Sequence, residues 1–118
     1  MLYFLKRLKY RCIWSWQGTI VTWREEHSFR SWVWANLVSV IAAFALPLTY
    51  GDRALILALG VLVLAAELIN TGIENAVDFV SEKQHPLARK AKDAGSAGVA
   101  VTAIAAGIAW IVILIGIF

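Results

Sequence analysis

From Ala54 to Ala66 the chain is apolar except for Gly60, and it then runs without a break into Glu67-Leu68-Ile69-Asn70-Thr71-Gly72-Ile73-Glu74-Asn75-Ala76-Val77-Asp78. A stretch this long and this apolar reads as a membrane span, so Glu67 enters well inside a region without water. An ionisable side chain there is costly unless it is paired, hydrated or protonated, which makes it a functional-site hypothesis by default.

Composition agrees with lipid as the solvent. Of 118 residues 60% are hydrophobic and 16% charged, and the mean hydropathy is +0.69, more apolar surface than a soluble domain of this size could cover. The length leaves room for one unit, residues 1–118, with no separate soluble catalytic domain. Any chemistry therefore belongs to the membrane helices and their short flanks.

Three spans are expected at 32–48, 54–80 and 94–118, each near the roughly 20 residues that a bilayer core requires. The fold class expected is all-α. Residues 1–28 have no uninterrupted apolar core and no small-residue cleavage site, so they do not read as a signal peptide. Leu2, Leu5, Leu8, Cys12, Trp16, Ile20 and Trp23 fall on one helical face, with Lys6, Arg7, Arg11, Gln17 and Arg24 largely on the other. That pattern predicts an amphipathic helix in the membrane interface, with Trp14, Trp16, Trp23, Trp32 and Trp34 as headgroup-level anchors.

Ten of the eleven Lys and Arg residues lie before the first span or between the second and third, and only Arg53 lies in the other turn. The positive-inside rule then puts the N-terminus and the 81–93 loop in the cytoplasm and the C-terminus outside. Cys12 is the only cysteine, so no intrachain disulfide forms, and His27 and His85 fall in expected short connectors without metal-ligand spacing.

At about 100° per residue Asn70, Thr71, Glu74 and Asp78 all fall within about 60° of Glu67, a polar stripe some 16 Å long. Interhelical hydrogen bonding accounts for Asn70 and Thr71. Two glutamates on one stripe repel unless a cation or proton separates them, and a hard divalent cation such as Mg2+, arriving with phosphate, would satisfy them. A second group, Ala91-Lys92-Asp93-Ala94-Gly95-Ser96-Ala97, stands at the expected start of the third span, where free backbone N–H groups would suit a phosphate chain. A positive-inside lysine followed by small packing residues explains the same segment equally well. Neither a P-loop nor a protein-kinase glycine loop is present.

Glu67-x-x-Asn70-Thr71-x-Ile73-Glu74-x-x-x-Asp78 followed by Ala91-Lys92-Asp93-x-Gly95-Ser96-Ala97 resembles the signature of the prokaryotic diacylglycerol kinase family of small membrane lipid kinases. Trp16-x-Gly18 and Glu26-x-x-Phe29-Arg30 fit the same pattern. The resemblance implies a homotrimer in the bacterial inner membrane, with sites shared between chains, that transfers the γ-phosphoryl of MgATP to the hydroxyl of diacylglycerol. It implies Glu67 as general base, Asn70 and Ser96 at the lipid substrate, and Glu26 and Glu74 as carboxylates on the nucleotide-borne metal. Lys92 and Asp93 would contact the nucleotide, with Arg7 and Ser15 closing the site from the N-terminal helix. Trp14 stands where relatives often have tyrosine, which removes any hydroxyl role there.

Undecaprenol kinases share this fold, but Gly95-Ser96 after Lys92-Asp93 is more similar to the diacylglycerol branch. An ion-coupled membrane subunit would also carry glutamates on a helix face, yet it would not need Glu26, Lys92 and Asp93 at the cytoplasmic edge. A non-catalytic scaffold would tolerate glutamate-to-glutamine changes throughout. Nucleic acid is not an expected partner.

Overall fold

The computed structural model describes residues 1–118 as four α-helices with no strand: α1 (Leu2–Glu25), α2 (His27–Ala45), α3 (Tyr50–Val80) and α4 (Pro86–Ile117). Each boundary has a local chemical cause. The chain breaks between α1 and α2 at Glu26 alone, whose backbone is extended (φ −109°, ψ 108°). Arg30 ties that corner, since its Nη1 donates to the Trp23 carbonyl at 2.6 Å and the Arg24 carbonyl at 3.0 Å, two acceptors that the end of α1 leaves free.

Helix α2 stops before Pro47, with Leu46 extended (φ −90°, ψ 153°) as the residue before a proline prefers. Arg53 secures the return: its Nε donates to Ala43 O at 2.8 Å, and its guanidinium lies 5.1 Å from the Phe44 ring and 5.8 Å from the Tyr50 ring. Thr49 then caps α3 by accepting from Asp52 N at 3.1 Å. Helix α4 opens with Pro86 at its first position and the His85 Nδ1 accepting from Leu87 N at 3.0 Å.

Helix α3 is the centre of the molecule, with α2 packed on one side and α4 on the other. Ala43, Leu48, Ile56 and Ile113 form the core, flanked by Leu46, Leu57, Trp110 and Ile117. Polar ties supplement it. The Asn36 Nδ2 donates to the Gly60 carbonyl at 2.6 Å, and the Trp110 Nε1 donates to Ser39 Oγ at 2.9 Å. Between α2 and α4, floored by α3, lies an apolar groove of about 440 Å³ whose walls include Trp32, Ala35, Val63, Gly107 and Trp110.

Helix α1 stands apart. Every residue from Met1 to Gly18 is exposed, and the molecule measures 51 × 45 × 23 Å, so the arm has almost nothing of its own chain to pack on.

The sequence expectations need four adjustments. The N-terminal helix ends at Glu25 rather than 28, because Glu26 takes an extended conformation. His27 is the first residue of α2 rather than a connector residue, whereas His85 does lie in the connector, as the last residue before α4, which it caps. Helix α4 begins at Pro86, eight positions before 94, because proline and the His85 cap start a helix among polar residues that hydropathy leaves to a loop. Finally, α3 and α4 are the two helices long and apolar enough to cross a membrane. The third expected span, at 32–48, corresponds to the shorter α2, whose sequence includes Arg30, Asn36 and four serines or histidines.

Candidate active site

The polar face of α3 meets a different neighbour at each turn. Glu67 is 5% exposed, Thr71 8% and Asn70 9%, so the upper part of the stripe is enclosed while Glu74 is half-buried and Asp78 exposed. Each acid has its own donor. Ser28 Oγ, in the first turn of α2, donates to Glu67 Oε2 at 3.2 Å. Asn70 Nδ2 donates to Glu74 Oε1 at 3.2 Å. Lys92 Nζ, from α4, donates to Asp78 Oδ1 at 2.6 Å, as an ion pair. A cation thus answers only the outermost carboxylate within this chain, while the two glutamates are held by neutral donors.

The Glu67 tie was not visible in the sequence. Ser28 belongs to no motif there, and only the antiparallel register of α2 on α3 brings positions 28 and 67 together. Glu67 is also level with the start of α2, so residues 68–80, roughly 20 Å of helix, extend beyond α2 and are covered in this chain by α4.

Asn70 lies against Gly95 where α3 packs on α4. Its Oδ1 is buried without a hydrogen-bond partner and lies against Gly95, where a Cβ would collide with it. Gly95 is therefore small for a reason of packing: the α4 backbone passes directly over the Asn70 amide.

The start of α4 at Pro86 changes the meaning of the second motif. Ala91 to Ala97 lie in the helix interior, where backbone N–H groups are already bonded, so the free helix N-terminus expected at this motif is absent. Lys92 and Ser96 do share a face one turn apart; Ser96 is exposed. Asp93 is not a first-turn helix acid but pairs with Arg89 Nε at 3.4 Å on the exposed surface. Beside the Asp78–Lys92 pair, a polar cleft of about 450 Å³ is lined by Ser81, Lys83, His85, Arg89 and Lys92 among others.

The remaining expected site residues are not brought together within this chain. Arg7 donates to the Tyr3 hydroxyl at 3.1 Å and covers that ring. Ser15 is exposed and only its carbonyl is engaged, by Thr19 Oγ1 at 2.8 Å. Both lie on the projecting part of α1. Glu26, half-buried at the α1–α2 corner, is two residues from Ser28 and hence near the Glu67 end of the stripe, while Glu74 is two turns further along, about 10 Å.

No three Asp, Glu, His or Cys side chains converge into a metal-binding group. This donor set fits a metal that brings its own ligands. Mg2+ keeps several waters and takes one or two protein carboxylates when substrate phosphates fill the other positions. Glu74, with one oxygen held by Asn70, and Glu26 are hard oxygen donors of that kind.

Comparison with known proteins matches this arrangement to one family. The sequence profile of prokaryotic diacylglycerol kinase covers residues 13–114. The chain is 40% identical over 112 residues to a diacylglycerol kinase of Pseudomonas aeruginosa, covering 95% of this chain and 91% of that protein. It is 36% identical over 100 residues to the diacylglycerol kinase of Escherichia coli K12, covering 85% and 82% respectively. Against the diacylglycerol kinase of Helicobacter pylori strain 26695 it is 39% identical over 92 residues, covering 78% and 72%. The four helices, the acidic face of α3 and the Lys92-Asp93 motif of α4 are thus those of a member of the prokaryotic diacylglycerol kinase family.

Proposed function

We propose that this chain is a membrane lipid kinase that transfers the γ-phosphoryl of MgATP to the hydroxyl of diacylglycerol, giving phosphatidic acid. One observation carries the reading: the acidic face of α3 runs from an apolar groove to a polar, basic cleft. Val63, in the groove wall, is one turn before Glu67, and Asp78, in the cleft wall, is one turn after Glu74. An acyl chain suits the first environment and a polyphosphate the second, with carboxylates between them where a hydroxyl would meet a phosphoryl group.

Glu67 is the general base in this proposal. Its Oε2 is engaged by Ser28, leaving Oε1 to accept the proton of the lipid hydroxyl as the hydroxyl oxygen bonds to the γ-phosphorus and the bond to ADP breaks. Asn70 and Ser96 face the lipid substrate. Lys92 neutralises phosphate charge by exchanging Asp78 for it, and Asp93 lies toward the nucleoside end. Glu26 and Glu74 hold the divalent metal, which when bound supplies charge neutralisation on the transferring phosphates. Arg7 and Ser15 close the site from α1. Three membrane spans, α2 with α3 and α4, and a homotrimer in the inner membrane complete the reading, with the N-terminus cytoplasmic and the C-terminus outside.

The test is phosphorylation of diacylglycerol by purified protein with MgATP in mixed micelles, run beside undecaprenol. Diacylglycerol is the expected acceptor. Glu67→Gln is expected to lower kcat by a factor on the order of 10² to 10⁴, as loss of a general base does, and Glu74→Gln to abolish turnover, both with the oligomer intact. Wild-type rates in both variants would refute the site, and preference for undecaprenol would refute the lipid.

A further inference from the structure

We infer that Ser28 is a positioning residue for Glu67, fixing which carboxylate oxygen faces the reacting hydroxyl. This deepens the proposed function and rests on its assignment of Glu67 as the base. The Ser28 hydroxyl is the sole hydrogen-bond partner of the Glu67 side chain, at 3.2 Å to Oε2. Glu67 is 5% exposed, yet its Oε1 is not among the fully enclosed atoms that lack a partner, a condition met only by Asn70 Oδ1. The carboxylate therefore has one tethered oxygen and one that has no hydrogen-bond partner and is not fully enclosed.

The tether itself is held firmly. Glu26 N donates to Thr22 O at 2.9 Å just before Ser28, Phe29 just after it is 3% exposed, and Arg30 binds the two last-turn carbonyls of α1. Ser28 is thereby placed by the α1–α2 corner rather than by a mobile loop. A hydroxyl donor at this point restrains rotation about the terminal carboxylate bond, a broad torsion that packing alone restrains poorly.

Without the tether a carboxylate still reaches the substrate but spends less time in the reactive orientation. The loss should therefore fall on kcat and not on lipid binding. Ser28→Ala is expected to lower kcat about tenfold while the KM values for diacylglycerol and ATP stay within about twofold. Ser28→Thr, which keeps the hydroxyl, should restore at least half of the wild-type kcat, and thermal unfolding in detergent should be unchanged in both.

The decisive arm is coupling. In a Glu67→Gln background, Ser28→Ala should cost nothing further in residual rate, because the group it positions is gone. Ser28→Ala with wild-type kcat, or a tenfold loss that persists undiminished in the Glu67→Gln background, overturns the inference. Wild-type turnover of Glu67→Gln alone overturns instead the assignment of the base, so the two failures are separable.

Discussion

At Asn70 a single amide does two jobs on opposite sides. Its Nδ2 holds Glu74, while its Oδ1, without a partner, fills the space a Cβ on Gly95 would take. A methyl group at position 95 would collide with that oxygen, and moving the amide aside would release Glu74. Gly95→Ala is thus expected to destabilise the protein by about 1–3 kcal/mol, as overpacking does, read as a lower unfolding midpoint in detergent. The double variant Asn70→Ala/Gly95→Ala should recover most of that stability and none of the activity, since the clash is relieved and the Glu74 donor is not replaced. Lys92 makes the contrasting case. Its pair with Asp78 is open to solvent, the two side chains being 40% and 50% exposed, and such pairs contribute about 1 kcal/mol or less. Lys92→Met should therefore leave the unfolding midpoint nearly unchanged while lowering phosphoryl transfer at least tenfold, in keeping with the charge-neutralising role proposed for it. A large loss of stability with normal turnover would make Lys92 a structural tie instead.

The helices were legible in the sequence to different degrees, and the differences have physical causes. Helix α3 could be read from Ala54 to Val80 because its apolar half and its polar stripe both declare a helical period, and its acids were found on one face as the spacing required. The start of α4 was not legible from hydropathy: Leu87-Ala88-Arg89-Lys90 resembles a charged loop, and only the combination of Pro86 and a histidine that caps through Nδ1 begins a helix there. The start of α2 is not legible, since the one-residue break at Glu26 leaves no glycine or proline to mark it, whereas Pro47 marks the region of its end. Ser28 and Asn36 went unnoticed because their importance lies in the register of α2 against α3, which a single sequence does not reveal. Helix α1 is legible as an amphipathic helix, and its apolar face of Leu2, Leu5 and Leu8 is left exposed by the rest of the chain. Since residues 1–18 are exposed throughout, removing them should leave the helicity and unfolding midpoint of α2–α4 nearly intact. Activity should nonetheless fall at least tenfold through loss of the contacts proposed for Arg7 and Ser15. Full activity in the truncated protein would exclude both residues from the site.

Taken as a whole, a lone copy of this chain has a thin interior, with 13 of 118 residues buried. Much of the remaining surface is apolar, including Val101, Ile104, Ile108, Ile111 and Ile115 along α4 and Leu37, Val38, Ile41 and Phe44 along α2. Lipid satisfies such side chains. It does not satisfy the polar stripe, because residues 68–80 of α3 pass beyond α2 and leave Glu74 half open, and three helices cannot surround it. The carboxylates proposed for the metal make the same point, for Glu26 lies at the α1–α2 corner near the Glu67 end of the stripe, and no metal-binding group forms within one chain. A closed ring of copies solves both problems when the corner of one chain abuts the Glu74 face of the next. This arrangement makes a quantitative prediction. In the proposed trimer, Glu26→Gln and Glu74→Gln chains should each be inactive alone, but when they are unfolded, mixed in equal amounts and reconstituted, some interfaces pair an intact Glu26 with an intact Glu74. Random assembly of a cyclic trimer places the required ordered pair at roughly one interface in four, so the mixture should regain roughly a quarter of the wild-type rate. If both carboxylates of a site came from the same chain, every site in the mixture would lack one of them and the rate would remain at the level of the single variants.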